Sequence, residues 1–342
     1  MNTFNYINGS VHCEDVDLSV LEKKYGTPSY VYSKKTIKEN TKAYVNSFTN
    51  RRNLACFAVK SLSNLSILKI IKDAGCGFDI VSGGELHRVL SIGADPKKVI
   101  FSGVGKTKNE IQQGINSGIL SFNVESESEL YRIEKIADDI ESPAPISIRI
   151  NPDIDSGGHD YITTGRKGDK FGISDKRKVV DLCKHAHQSK NLKIVGLACH
   201  IGSQILDLEG FIKSADKIFE LADELKNFDI SLEFLDLGGG LGISYENEVP
   251  PSPLELISCL EDKFKNRRER LILEPGRSIS ANAGVLLTRV EYIKDNFLIV
   301  DAAMNDLLRP SLYKAHHDVC NVEDKKDNFK KWTVVGPVCE SS

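Results

Sequence analysis

The chain has no strong charge of either sign: its 342 residues carry a formal net charge of −3 at pH 7. It therefore has no electrostatic footprint for nucleic acid or for an anionic membrane surface. The densest basic cluster, Arg267-Arg268-Glu269-Arg270, is short and interrupted by an acid, and reads as a solvated helix end. Long hydrophobic runs are missing too, since no stretch approaches the roughly 18 apolar residues of a membrane span. Residues 1–6 lack the basic segment and apolar core of a secretory signal. Cysteine is present at eight scattered positions, but no two form a Cys-x-x-Cys pair. That spacing argues against a zinc site or a disulfide framework and predicts a reducing, cytoplasmic setting with no metal. Internal repeats and low-complexity segments are likewise absent. With 40% hydrophobic and 27% charged residues, the chain has the composition of a globular protein and the length for a large core.

From Tyr30 onward the sequence alternates short β-rich runs with amphipathic helical stretches. The runs 54–60, 77–82, 99–102, 121–124, 145–151, 193–200, 234–237 and 271–274 read as strands. Between them, a helix beginning at Asp207 carries Leu208, Phe211, Ile212, Ala215, Ile218, Phe219, Ala222 and Leu225 on one face. Another opens with Ser126-Glu127-Ser128-Glu129, a capping box. Eight β/α units over roughly 250 residues predict an α/β fold, a (β/α)8 TIM barrel. The alternation stops near Asn282. Residues 285–292 then read as one long strand, Lys294-Asp295-Asn296 as a turn, and 297–301 and 332–335 as further strands. The expected domains are an N-terminal segment (1–28) packing with a β domain, a barrel (29–282) and a partial C-terminal β domain (283–342). Sixty residues supply too few strands for that β domain to close on itself, so it is expected to be incomplete.

Barrel active sites lie at the carboxyl ends of the strands. The first strand ends at Lys60 and the second near Asp79 and Ser82-Gly83-Gly84-Glu85. The fifth ends at Arg149 and Asn151, and the sixth with His200-Ile201-Gly202-Ser203-Gln204. The seventh ends with Gly238-Gly239-Gly240-Leu241-Gly242 and the eighth with Glu274-Pro275-Gly276-Arg277. Each has an ordinary explanation alone. A lysine at a strand end most often reaches into solvent, glycine turns after strands are common, and a single histidine is usually scaffolding. Their combination is more specific. Glycines after strand seven and a Gly-Arg after strand eight form the phosphate site barrels often carry there, because backbone N–H groups need glycine to approach a phosphate. Burial would lower the pKa of Lys60, as carbonyl chemistry requires. A phosphate site, an amine, the acid Glu274 and the flat ring of His200 suit pyridoxal 5'-phosphate. Lys60 would bond its aldehyde, Glu274 keep the pyridine nitrogen protonated, and His200 stack on the ring.

On these residues the chain resembles the alanine-racemase-like, fold-type III pyridoxal-phosphate decarboxylases, and within them the diaminopimelate decarboxylase family. The resemblance runs from Phe4 to Ser342 with the motifs in the family's order. Ala58-Val59-Lys60 resembles its cofactor-lysine strand, His200-Ile201-Gly202-Ser203-Gln204 its stacking histidine and phosphate serine, and Gly238-Gly239-Gly240 with Glu274-Pro275-Gly276-Arg277 its phosphate and pyridine sites. His159-Asp160-Tyr161-Ile162-Thr163-Thr164-Gly165, with Lys170-Phe171-Gly172 beyond it, resembles a loop typical of the family, with Asp160 where proline is usual. Arg309-Pro310-Ser311-Leu312-Tyr313 resembles its substrate-carboxylate motif and Cys339-Glu340-Ser341 its catalytic motif. The resemblance implies that Cys339 protonates the carbon that loses CO2 and that Glu340 receives the substrate's distal amine. It also implies a homodimer with shared active sites, and a family chain that continues past Cys339 with a later tyrosine.

The implied substrate, meso-diaminopimelate, fits the charges. Its distal carboxylate needs planar bidentate donors, which Arg277 and Arg309 supply better than lysine would, and Tyr313 adds a hydroxyl. The implied activity is decarboxylation to L-lysine and CO2. Three alternatives stay open: a decarboxylase of ornithine, arginine or carboxynorspermidine, a non-catalytic cofactor-binding protein, and a lysine-dependent aldolase. His316-His317 reads as no metal pair, since adjacent histidines point apart. His185 and His187 read as solvated, and Cys56, Cys76, Cys183, Cys199 and Cys259 as core fillers.

Overall fold

Strands buried on both faces read as unbroken apolar runs, and here eight such runs become eight parallel strands that close into a barrel. The computed structural model describes residues 3–154, 168–324 and 330–340. The barrel strands are β1 Leu54–Ala58, β2 Gly77–Ile80, β3 Val99–Phe101, β4 Ser121–Val124, β5 Ala144–Ile150, β6 Leu192–Cys199, β7 Phe234–Asp236 and β8 Arg270–Leu273. Each pairs in parallel with its sequence neighbours, and β8 returns to β1 with Ile272 opposite Leu54. All eight coincide with the expected runs, and most stop one or two residues earlier, because the runs continue into the loops that carry the site. The 285–292 run is an exception. It breaks into strands Gly284–Leu287 and Val290–Lys294. The cause is Asp301, whose carboxylate accepts both the Thr288 hydroxyl (2.5 Å) and the Arg289 N–H (2.9 Å) and so turns the chain there.

Helices α1 Leu65–Asp73, α2 Gly83–Ser91, α3 Lys108–Ser117, α4 Glu127–Asp139, α5 Lys176–Gln188, α6 Glu209–Lys226 and α7 Pro253–Phe264 alternate with the strands. The capping box expected at Ser126 is only half formed. Ser126 Oγ accepts the Glu129 N–H, but the Glu129 carboxylate takes the Glu125 N–H (2.7 Å) and Lys106 instead of reaching back to Ser126. Complete boxes form at Thr107/Glu110 and Ser252/Glu255. Inside the barrel Leu54, Cys56, Ile100, Leu120, Val195, Phe234 and Ile272 form one buried cluster at the amino-terminal and middle positions of the strands.

Of the Arg267–Arg270 cluster, Arg268 is exposed as expected, but Arg267 and Glu269 are not. Arg267 bonds Asp223 (3.1 Å) and Glu269 (3.0 Å) and lies on the Phe219 ring at 4.4 Å, because its long apolar stem and planar fork cover a helix-packing seam. His185 is also partnered, with Glu134 at 2.7 Å and the edge of Tyr131. Cys56, Cys76, Cys183 and Cys199 are buried and Cys259 is half-buried. Burial pushes the Cys76, Cys183 and Cys199 thiols up to about 12.

The chain divides into two compact units. Lys38–Ile243 with Val249–Ser280 holds the barrel; Met1–Ile37, Ser244–Glu248 and Ala281–Ser342 form the other. In the latter, strands Phe4–Ile7, Ser10–Cys13 and Val16–Asp17 make one antiparallel sheet. Ser29–Tyr32 pairs with Gly284–Leu287, and Val290–Lys294, Phe297–Val300 and Thr333–Val335 make a third sheet. Val11, Cys13, Leu18 and Leu287, with Phe4, Val285 and Val322 against them, form its core. Among the described residues no helix is long and apolar enough to cross a membrane, and no group of His, Cys, Asp or Glu could hold a metal ion.

Candidate active site

β1 ends at Ala58, and a single 3-10 turn, Val59–Ser61, places Lys60 just past the strand at the barrel mouth. Its Nζ donates to Asp79 Oδ2 of β2 at 2.5 Å. Lys60 keeps 51% of its side-chain surface accessible while Asp79 has none, so the amine is reachable and its partner is not. Burial opposes the lysine's charge, but Asp79 and Glu274 outweigh it and the pKa is raised. This corrects the sequence expectation of a depressed pKa. That expectation counted desolvation alone, whereas two carboxylates from the flanking strands converge on the amine.

Those carboxylates belong to a buried acidic cluster. Glu274 follows β8 directly and Asp236 ends β7. Burial raises the pKa of both, Glu274 well above the ordinary range; Asp236 and then Asp79 further oppose ionisation of Glu274, whose hydrogen bond in turn favours the ionised form of Asp236. The pair therefore holds a proton at neutral pH. Asp236 Oδ1 accepts the Gly238 N–H at 2.8 Å, and Asn123 Nδ2 reaches Ser102 Oγ at 3.1 Å and Glu274 Oε1 at 3.5 Å. Asp79 Oδ1 is buried without a hydrogen-bond partner among the described residues.

His200 follows β6. Its Nδ1 accepts the Gly239 N–H at 3.2 Å, so the ring proton sits on Nε2. Burial, then Arg149 and Lys60, hold its pKa well below 6.5, and the ring is neutral. The glycines that follow β7 are pressed backbone to backbone against their neighbours. A Cβ on Gly239 would lie 2.0 Å from the Glu274 carbonyl oxygen, and one on Gly240, at φ +116°, 2.3 Å from that of Gly202. No side chain fits between these loops. Ser203 Oγ accepts from Arg277 Nε (3.2 Å) and Nη2 (3.0 Å). Pro275 accepts the Ala58 N–H through its carbonyl at 3.0 Å, and Gly276 lies against the Ala58 side chain.

Lys60, Asp79, His200, Ser203, Gly238, Gly239, Gly240, Glu274, Pro275, Gly276 and Arg277 thus meet at one barrel mouth. Arg309, Tyr313, Cys339 and Glu340 fall in the other unit, where Cys339 and Glu340 are exposed and Arg309 and Tyr313 bound the short helix Arg309–Tyr313. His159-Asp160-Tyr161-Ile162-Thr163-Thr164-Gly165 lies outside the described residues.

Sequence reasoning missed Asp236 and the full role of Arg149. Arg149 Nη1 donates to Glu125 Oε1 at 2.7 Å, its guanidinium lies 4.9 Å from the Phe171 ring centre, and Glu125 Oε2 takes the Gly172 N–H at 2.7 Å. Lys106, fully buried, donates to Gly103 O, Asn123 O and Glu129 Oε1. The available signal was a polar residue inside an apolar strand, as in Phe234-Leu235-Asp236-Leu237 and Ile146-Ser147-Ile148-Arg149-Ile150.

The donor set suits a phosphorylated, carbonyl-bearing heteroaromatic molecule. It offers an amine for the carbonyl, N–H groups and a hydroxyl for the phosphate, a protonated acid for a ring nitrogen and a neutral flat ring for stacking. The family described as pyridoxal-dependent decarboxylase, pyridoxal binding domain, matches residues 34–281. A diaminopimelate decarboxylase of Haemophilus influenzae is 46% identical over all of this chain and 84% of that protein. One of Vibrio cholerae is 47% identical over all of this chain and 83% of its own length. The crystal structure of diaminopimelate decarboxylase from Helicobacter pylori, complexed with L-lysine, superposes with a TM-score of 0.91 at 42% identity, covering 95% of this chain and 82% of that one. By fold, by site and by these likenesses, the chain belongs to the diaminopimelate decarboxylase family of pyridoxal-dependent decarboxylases.

Proposed function

We propose that this chain removes CO2 from meso-2,6-diaminopimelate to give L-lysine, with pyridoxal 5'-phosphate as cofactor, in the cytoplasm and as a homodimer with shared sites. The observation that carries the reading is the barrel mouth, where a reachable amine, a proton-holding acid pair, a neutral imidazole and a glycine cradle meet. The names of the relatives support the substrate.

In this reading Lys60 would hold the cofactor through its aldehyde, and Asp79 holds the amine in place. Glu274 would hold the pyridine nitrogen, and its raised pKa keeps a proton on the carboxyl where that nitrogen would meet it. His200 would stack on the ring and, being neutral, would not repel a protonated ring nitrogen. Gly238, Gly239, Gly240, Gly276 and Ser203 would surround the phosphate, the glycines leaving no Cβ between it and the main chain. When bound, the cofactor supplies an electron sink for the pair left behind as CO2 departs. Arg277, Arg309 and Tyr313 receive the distal carboxylate, and Glu340 the distal ammonium. Cys339 Sγ delivers a proton to the carbon that lost the carboxylate, so one proton enters for each CO2 released. Pro275 completes the turn that carries Gly276 and Arg277.

Measuring CO2 release from meso-diaminopimelate, ornithine, arginine and carboxynorspermidine with the pyridoxal-phosphate-loaded protein tests this directly. Turnover should be fastest with diaminopimelate, and a preference for ornithine would overturn the substrate assignment. Lys60→Ala should abolish CO2 release and the near-visible absorbance of the covalently held cofactor.

A further inference from the structure

Arg309 opens a helix of five residues, Arg309–Tyr313, that ends at Lys314 in the left-handed conformation (φ 50°), whose N–H bonds back to the Arg309 carbonyl. That reversal brings His317 back to the start of the same turn. His317 Nε2 lies 3.3 Å from Arg309 Nη1. A guanidinium has no acceptor, so the imidazole accepts and its proton is on Nδ1. The Arg309 guanidinium also lies 4.4 Å from the ring centre of Tyr245, and the Tyr245 and His317 rings meet edge to face at 6.0 Å. Tyr245 is fixed in turn by Glu248, whose Oε2 takes the N–H groups of Tyr245 (2.9 Å) and Glu246 (2.8 Å) and folds that short segment. The adjacent histidines divide the nearby charges. His316 pairs with Asp318 at 2.8 Å and Glu246 at 3.4 Å, while His317 meets the guanidinium. Burial, then Arg309 and His316, lower the pKa of His317 and keep Nε2 an acceptor.

A bidentate carboxylate contact needs a planar fork held in one orientation, and an arginine side chain otherwise loses rotamer freedom on binding. A ring face beneath the guanidinium and an acceptor at one Nη supply that orientation before substrate arrives. We propose that Tyr245 and His317 are positioning residues that pre-orient Arg309 for the distal carboxylate of the substrate and so help to select amino acids that carry one. This rests on the reading of Arg309 as a substrate-carboxylate donor.

The test uses the full chain loaded with pyridoxal phosphate. KM and kcat are measured with meso-diaminopimelate, and Kd is measured by calorimetry with L-lysine, which keeps the distal carboxylate. His317→Ala and Tyr245→Leu are each expected to raise KM and the L-lysine Kd about five- to tenfold with kcat within about twofold. Tyr245→Phe, which keeps the ring face, should behave as wild type. Inhibition by 1,5-diaminopentane, which has no carboxylate, should be the same in every variant. In an Arg309→Lys background His317→Ala should add nothing, because a point charge has no fork to orient. A loss of kcat at unchanged KM and Kd, as a merely destabilised protein would show, overturns the proposal, and so does full additivity with Arg309→Lys. If Arg309→Lys itself leaves KM and Kd unchanged, the underlying assignment of Arg309 fails as well.

Discussion

The two ends of the barrel are built from the same strands and differ in almost everything else. On β7, Phe234 is part of the apolar cluster and Asp236, two residues on, is a buried acid at the mouth. On β8, Ile272 packs inside and Glu274 ends the run two residues later. On β1, Cys56 lies in the cluster and Lys60 lies four residues beyond. One pleat separates a position that favours folding from one that opposes it. The interior cluster stabilises by apolar burial and close packing. The mouth gathers three carboxyls, a lysine and an arginine where water is scarce, an arrangement that costs stability and gives pKa values useful for chemistry.

The largest expected effect is at the apolar end. Phe234→Ala should lower unfolding free energy by about 3–5 kcal/mol in chemical denaturation, while kcat per folded molecule holds. A large fall in kcat without loss of stability would break the comparison.

The mouth should respond in the opposite direction. Because the Asp236/Glu274 pair holds a proton when folded and releases it when unfolded, the folded state binds more protons above the ordinary carboxyl pKa. Stability should therefore fall as pH rises from that value through the raised one. In the cofactor-free protein Asp236→Asn keeps an acceptor for the Gly238 N–H and removes the share of this loss that Asp236 contributes. It should match wild type near pH 4 and exceed it by about 1–3 kcal/mol at pH 8. Equal pH profiles for the two proteins would show that the mouth is not strained by charge.

The smallest effect separates distance along a strand from contact with the site. Thr107 caps α3 on the outer rim, and Thr107→Ala should cost about 1 kcal/mol in thermal unfolding without altering kcat. A change in kcat would mean that the rim and the centre of the mouth are one functional region.

All eight barrel strands were legible because parallel strands covered on both faces carry their signal in consecutive residues. The gathering of Lys60, His200, Gly238, Gly239, Gly240, Glu274 and Arg277 followed once strand ends were assigned to a barrel mouth. What an adjacent strand sets beside a residue is not local in sequence, and there the sequence was silent. Lys60 looked like an amine to be neutralised by burial, although Asp79 and Glu274 flank it. Asp236 was hidden inside an apolar run. Ser126 and Glu129 had the spacing of a capping box, but Lys106 and the Glu125 N–H hold the glutamate. The break at Thr288 depends on Asp301, thirteen residues away.

The glycine loop after β7 bears on how this protein could be altered. Its backbone touches the carbonyls of Glu274 and Gly202 with no space for a side chain, so recognition at that point is written in main-chain geometry, where amino-acid exchange has no vocabulary. If this loop holds the phosphate as proposed, an engineer wishing to retarget it is left with Ser203 and its partner Arg277, joined by two hydrogen bonds. The most tightly packed loop of the mouth is thus also its least evolvable, and adjustment must come from the rim inward.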